Sequence, residues 1–299
     1  MHKKVDFFIV GAPKCGTTAL VEYLNATNEV FVPPIKEPHF FCFEWPEFQR
    51  VRTFDEYHAL YDRSGNKLCG DASVWYLYSK ESAKNIKNYN DEAKIIIMLR
   101  EPVAAMQSLH SQLLFSGRED VNDFTKAVNL ESERSKGNFL PKNSIVNEHL
   151  LYSEVYSYEE QVSRYIELFG EENCKIVLYE DFFKSVESGL TDVMSFLGLN
   201  LKSAEGVELK KVNSNRVHRF PRIAHFVMRP PGFLGVVKEW LKNTSLMKRR
   251  PIMRPVYRFF SEGRKRRSID SSQISLLRKG FEEKNIKLKD VAKVDISKW

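Results

Sequence analysis

The chain has 299 residues, 42% hydrophobic and 28% charged side chains, and a formal net charge of +7. That composition excludes a disordered or collagen-like polymer, and the length suffices for one large core or two small ones. The four cysteines, Cys15, Cys42, Cys69 and Cys174, form no CxxC pair and no Cys/His metal spacing, so reduced, unligated thiols are expected.

The start, Met1 to Lys4 followed by apolar Val5 to Val10, imitates a secretory leader. Its apolar part is short, no small-residue cleavage pattern follows, and no apolar run along the chain is long enough to span a bilayer, so a cytoplasmic protein is the expectation. Val5 to Val10 reads instead as a buried strand ended by glycine. It runs into Gly11-Ala12-Pro13-Lys14-Cys15-Gly16-Thr17-Thr18, and Thr18 to Asn25 reads as the following helix. Val30-Phe31-Val32 is a short apolar piece closed by two prolines. Lys94 to Leu99 is a continuous apolar run of the kind found in central parallel strands. It ends at Arg100-Glu101-Pro102, with proline opening a helix that carries Ala104 to Phe115. Gly117 to Asn147 is polar and loop-rich, and a variable rim or lid is expected over about residues 117–156. Asn173 to Tyr179 is strand-like, Asp181 to Leu199 reads as one amphipathic helix ending at Gly198, and a last helix is expected from Ser271 to Glu283. Residues 212–258 mix prolines with apolar patches and leave two readings open, an acceptor-site border or a peripheral membrane contact. Basic excess concentrates between Lys248 and Arg267, which suits a polyanionic partner, an anionic cofactor or a solvated surface. No nucleic-acid-binding motif stands out.

Strands alternating with helices predict a parallel sheet wrapped by helices, with ligands at the carboxyl ends of the strands. The Gly11–Thr18 loop and Arg100 both fall there. A glycine-framed loop opening a helix is an anion cradle, because glycines admit close backbone approach and the helix start presents N–H groups at its positive end. A triphosphate-binding loop carries lysine directly after its second glycine; here that position is Thr17 and the lysine is Lys14. The expected ligand is therefore phosphate-like without being a magnesium-bound triphosphate.

The Gly-Ala-Pro-Lys-Cys-Gly-Thr-Thr run resembles the 5′-phosphosulfate loop of sulfotransferases that use 3′-phosphoadenosine 5′-phosphosulfate (PAPS), both bacterial members and heparan sulfate and glycan members. The resemblance implies an α/β fold in a single domain over residues 1–299: a P-loop-like central parallel β-sheet flanked by helices, with a helical, basic C-terminal part. It implies that Lys14, Cys15, Gly16, Thr17 and Thr18 hold the phosphosulfate, and that Arg100 and Ser108, two helical turns apart, hold the 3′-phosphate. Lys36-Glu37-Pro38-His39-Phe40-Phe41 resembles the segment with the family's catalytic base. Glu37 matches the base, and His39 could share its role or orient the acceptor. Ser261-Glu262-Gly263-Arg264 resembles the loop that closes over the nucleotide; Gly263 and Arg264 match, whereas Glu262 stands where the family has lysine.

The implied reaction moves a sulfuryl group from PAPS to an acceptor hydroxyl, expected on a carbohydrate or glycan, with no metal required. Lipid and small-molecule alcohols stay open as acceptors. The competing readings are a nucleoside-triphosphate-dependent kinase on an altered P-loop and a non-catalytic binder of polyanions.

Overall fold

Phe7–Gly11 forms strand β1, every residue of which is buried, as an apolar run in the middle of a parallel sheet must be. The protein is described by a computed structural model over residues 3–35, 37–204, 216–218, 261–263 and 270–299. After β1 come helix α1 (Thr17–Ala26), β2 (Val30–Phe31), α2 (Phe54–Ala59), β3 (Leu68–Asp71), α3 (Ser82–Tyr89), β4 (Lys94–Leu99) and α4 (Pro102–Ser116). The second half adds α5 (Phe124–Asn129), α6 (Glu131–Arg134), α7 (Tyr152–Val155), α8 (Tyr158–Phe169), β5 (Cys174–Leu178), α9 (Tyr179–Lys184) and α10 (Val186–Leu197). Two short strands, β6 (Arg216–His218) and β7 (Ser261–Gly263), precede α11 (Ser271–Lys279) and α12 (Glu282–Ala292).

The main sheet runs β2-β3-β1-β4-β5, with every pairing parallel. The chain builds β2 and β3 on one side of β1 and then crosses to build β4 and β5 on the other. The carboxyl ends of β1 and β4 thus lie side by side at the point where the order reverses, the usual ligand crevice of such sheets. A bulge on β1 between Ile9 and Gly11 marks where the strand gives way to the loop. Helices cover the sheet: α8 packs on β4 and β5, α12 docks on α8, and α1 rests on α10. The fold is the expected α/β, P-loop-like parallel sheet flanked by helices.

Three sequence expectations change. β3 was not anticipated, because Leu68-Cys69-Gly70-Asp71 is short and carries a glycine. That glycine admits the Phe7 ring, which would lie 2.1 Å from a Cβ at Gly70. The single helix expected over Asp181–Leu199 is two, α9 and α10, separated at Ser185. The last helix likewise divides into α11 and α12. The polar stretch expected as a rim or lid carries two short helices, α5 and α6, and a buried ion pair, described below. The basic cluster from Lys248 to Arg267 lies outside the described residues except at the β7 strand, as does most of 212–258. Among the described residues no helix is long and apolar enough to cross a membrane.

Candidate active site

The loop after β1 is tied down on all sides. Ala12 donates its N–H to Met98 O of β4 at 2.7 Å, and the Tyr156 hydroxyl donates to Pro13 O at 2.9 Å. Lys14 sits in the left-handed region at φ 66°, and Gly16 at φ 91° caps α1. A side chain at Gly16 would collide with the Phe183 ring, 2.6 Å from its Cβ, so glycine is required by conformation and by space. No described side chain caps α1 and its first turn holds no acidic residue. The positive end of the helix dipole is left for an anion. Thr17 is buried and Thr18 half-buried at this end.

Cys15 stands beside this helix start. A thiol at a helix start would have a lowered pKa if it met the dipole in an open site. Here burial pushes the thiol up to about 12, against smaller opposing effects from Tyr158 and Arg100. Its sulfur packs against Pro13 O at 3.5 Å and the Tyr158 hydroxyl at 3.7 Å, and its N–H donates to Ala12 O at 3.3 Å. Both polar groups of Cys15 are turned into the protein, so it shapes the loop rather than presenting a reactive or ligand-facing thiol. All four cysteines are free thiols.

Arg100, at the end of β4, reaches back to the loop: its Nη1 donates to Lys14 O at 3.4 Å. The guanidinium lies over the Tyr179 ring, 4.3 Å from the centroid, and its own carbonyl accepts from the Tyr158 hydroxyl at 3.1 Å. Tyr179 opens α9, although the sequence read it as the end of a strand. Ser108 lies buried two turns into α4. Strand β6 packs against α4, and its Arg216 pairs with Gly263 of β7. Gly263 thus lies on the strand paired with the one that meets α4; Arg264 lies outside the described residues.

The Glu37 segment stands on the same foundation. Glu37 and His39 both adopt left-handed backbone, at φ 57° and 51°. Six non-glycine residues do so among the described residues, and Lys14, Glu37 and His39 are three of them. Such conformations cost about 1–3 kcal/mol each and concentrate where function fixes the geometry. His39 Nε2 lies 3.4 Å from Glu37 Oε2; the imidazole is almost fully buried and the carboxylate 33% exposed. Nδ1 of His39 is buried with no hydrogen-bond partner among the described residues, and the ring stacks on Phe48 at 4.3 Å. The imidazole can thus hold one carboxylate oxygen of Glu37 while the carboxylate keeps a face open to solvent.

What positions this segment is Asp71, whose part the sequence did not reveal. It ends β3, fully buried, and accepts from Ser73 Oγ at 2.7 Å, Tyr57 Oη at 2.8 Å and Tyr76 Oη at 3.0 Å. Two of those hydroxyls in turn receive backbone donors of the Glu37 segment, His39 N–H to Ser73 Oγ at 3.0 Å and Phe41 N–H to Tyr76 Oη at 3.3 Å. Burial raises the Asp71 pKa, with the three hydroxyls acting in the opposite direction. The same stretch also meets the loop: a Cβ at Gly11 would come within 2.9 Å of Val74 O and 2.6 Å of Leu77 Cβ, and Leu77 N–H donates to Val10 O at 2.8 Å. Residues Ser73 to Leu77 therefore join the anion-cradle loop to the Glu37 segment.

Beyond α4 the polar stretch is fixed by a buried pair. Arg134 donates Nη1 to Glu119 Oε2 at 2.7 Å and Nη2 to Glu119 Oε1 at 2.8 Å, with both side chains fully buried. Tyr152 and the N–H groups of Asp120 and Val121 complete the shell of Glu119. Burial would raise this carboxyl, but the bonds from Arg134, Tyr152 and Val121 outweigh it and leave the pKa below its ordinary value. Among the described residues no cluster of three or more His, Cys, Asp or Glu is arranged to hold a metal ion.

Comparison with known proteins agrees with this architecture. The mouse protein Carbohydrate sulfotransferase 15 is 25% identical over 246 residues, covering 64% of this chain and 43% of that protein. The chain thus spans less than half the length of that relative. A crystal structure of a sulfotransferase from Alicyclobacillus acidocaldarius superposes with a TM-score of 0.71 at 24% identity, covering 99% of both chains. The mouse sulfotransferase SULT7A1, solved in complex with PAP, superposes at a TM-score of 0.51 with 16% identity, covering 97% of this chain and 88% of that one. The family model for the sulfotransferase domain matches residues 4–227, and the chain belongs to the sulfotransferase family.

Proposed function

We propose that this sulfotransferase takes its sulfuryl group from PAPS and passes it to a hydroxyl of a carbohydrate acceptor. The observation that carries the reading is the junction at Ser73–Leu77, which sets a carboxylate, Glu37, beside an anion cradle built on β1, Lys14 and the start of α1. The cradle fits a phosphosulfate: an uncapped helix start, a left-handed lysine and close backbone approach at Gly16 suit a dense anion. Arg100, held against Tyr179, offers a planar fork suited to the 3′-phosphate, and Ser108 and Gly263 belong to the elements beside it.

In the proposed step Glu37 takes the proton of the acceptor hydroxyl as its oxygen attacks sulfur. The bond from sulfur to the bridging oxygen breaks on the opposite side, and its electron pair stays on the 5′-phosphate of PAP. Lys14 and the α1 N-terminus offset the charge that develops there, so positioning and electrostatics dominate. His39 orients Glu37. The likeness to a carbohydrate sulfotransferase supports a carbohydrate acceptor.

The kinase alternative needs a carboxylate at a strand end to hold magnesium. Asp71 is sealed by three hydroxyls, and Glu101 caps α4 through the N–H groups of Val103 and Ala104. Both strand-end acids are thus already committed to structure. The test is transfer of radiolabelled sulfate from PAPS to a panel of oligosaccharides. Wild type is expected to label at least one, and Glu37→Gln to lose about 100-fold or more in kcat while binding PAP normally. Undiminished transfer by Glu37→Gln would refute the assigned base.

A further inference from the structure

The peptide unit that joins Arg100 to Glu101 lies where β4 gives way to α4, and side chains hold both of its polar groups. The Arg100 carbonyl accepts from the Tyr158 hydroxyl at 3.1 Å, and the Glu101 N–H donates to Glu180 Oε1 at 3.1 Å. This peptide stands between strand and helix, so the groups that satisfy it set the direction in which the chain leaves the sheet. Tyr179, the neighbour of Glu180, carries the Arg100 guanidinium over its ring. Backbone and side chain of Arg100 are therefore both set from Tyr158 and the start of α9.

Tyr158 and Glu180 both meet Trp299. The indole Nε1–H donates to Glu180 Oε2 at 3.3 Å, and the indole ring lies 6.0 Å from that of Tyr158, tilted by 56°. Glu180 thus takes one donor on each oxygen, Glu101 N–H on the first and Trp299 on the second, and bonds to a charged acceptor are the stronger kind. The segment after α12 is itself anchored. Trp299 N–H returns to Ile296 O at 3.0 Å, Ile296 is buried, and Lys298 Nζ lies 2.6 Å from Asp181 Oδ1. Helix α12 docks on α8, which Tyr158 opens. Trp299 is nonetheless only half-buried, and it walls a cavity of about 290 Å³ together with Glu101, Pro102, Arg278 and Phe281. A tryptophan at such an edge, with its one donor spent on a carboxylate, contributes direction more than core packing.

We propose that Trp299 is a positioning residue for Arg100: through Glu180 and Tyr158 it fixes the Arg100–Glu101 peptide and so aims the guanidinium at the 3′-phosphate of the nucleotide. Trp299 acts through these side chains and is assigned no contact with the nucleotide. The segment after α12 thereby becomes part of the preference for a nucleotide that carries a 3′-phosphate over one that lacks it. This rests on the reading of Arg100 given above, whereas the connection from Trp299 to the Arg100–Glu101 peptide rests on geometry alone.

The experiment is calorimetric titration of PAP, and of adenosine 5′-monophosphate (AMP), which lacks the 3′-phosphate, into the full chain as wild type, Trp299→Phe and Glu180→Gln. Phenylalanine keeps an aromatic ring beside Tyr158 and removes the indole donor. Glutamine keeps the volume of Glu180 but leaves one oxygen for two donors. Wild type is expected to favour PAP over AMP by about 100-fold. Each variant should lose about five- to tenfold of that ratio through PAP alone, with AMP affinity within about twofold of wild type. In an Arg100→Ala background Trp299→Phe should weaken PAP no further, since the two residues act through one contact. A merely structural role for Trp299 would instead move both nucleotides together. An unchanged ratio in either variant, equal losses of PAP and AMP, or a Trp299→Phe effect that persists undiminished without Arg100 overturns the proposal. Wild type that binds PAP no better than AMP would overturn the reading of Arg100 itself, and the positioning role with it. A normal wild-type preference that Trp299→Phe leaves intact would sink the positioning role alone.

Discussion

Replacing Glu119 by glutamine should be among the most damaging single changes in this protein, although the residue touches no proposed ligand. Glu119 and Arg134 are both fully buried and doubly bonded, and Tyr152 and two backbone N–H groups share the same carboxylate. Glutamine keeps the volume but sets an NH2 group against the donors of Arg134 or Tyr152 and leaves the guanidinium buried without a counter-charge. Breaking a buried pair in this way costs about 3–5 kcal/mol, a large share of a typical total of about 5–15 kcal/mol. In a domain of this size the loss corresponds to a fall in Tm of about 5–8 °C. The assay is urea unfolding followed by tryptophan fluorescence, with thermal melts in parallel. The pH dependence gives a second check. The carboxyl lies below its ordinary value of 4.5 in the folded protein, so its contribution is complete above that value and fades as pH falls through the lower folded value. The gap between wild type and Glu119→Gln should be full at pH 7 and should narrow only below about 4.5. Glu119→Leu combined with Arg134→Met should cost less than either single change, because no charge is then stranded. A loss under about 1 kcal/mol for Glu119→Gln at pH 7 would refute the reasoning.

Asp71→Asn should leave PAP affinity unchanged while lowering kcat, since it loosens the hydroxyls that carry His39 and Phe41 rather than the cradle; steady-state kinetics with calorimetry on PAP separates the two, and an equal loss of both would contradict it. Cys15, buried and raised to about 12, should resist iodoacetamide at pH 8 in the native protein and react at once in urea; rapid native labelling at Cys15 by mass spectrometry would be the contrary result.

The elements legible in the sequence were those with local causes. The apolar run into Gly11, the proline that opens α4 and Gly198 at the end of α10 each act within a few residues, and each appears where its chemistry predicts. What escaped depends on distant partners. Glu119 and Arg134 read as polar loop residues one at a time; only their meeting across 15 positions makes a buried pair. Asp71 gave no signal of its own in the sequence, because the hydroxyls of Tyr57, Ser73 and Tyr76 converge on it only through the fold. The tether of Arg100 to Tyr179 is tertiary for the same reason. Cys15 shows the same limit: its place at a helix start was legible, but its burial beneath Tyr158 was not.

The central claim, a nucleotide site for PAPS built on the Gly11–Thr18 loop and Arg100, is tested most directly by calorimetry. PAP and magnesium-ATP are titrated in turn into wild type and Arg100→Ala. The account predicts micromolar binding of PAP to wild type, about 100-fold weaker binding to Arg100→Ala, and no comparable affinity for magnesium-ATP. Tighter binding of magnesium-ATP than of PAP, or PAP binding indifferent to Arg100, would contradict it.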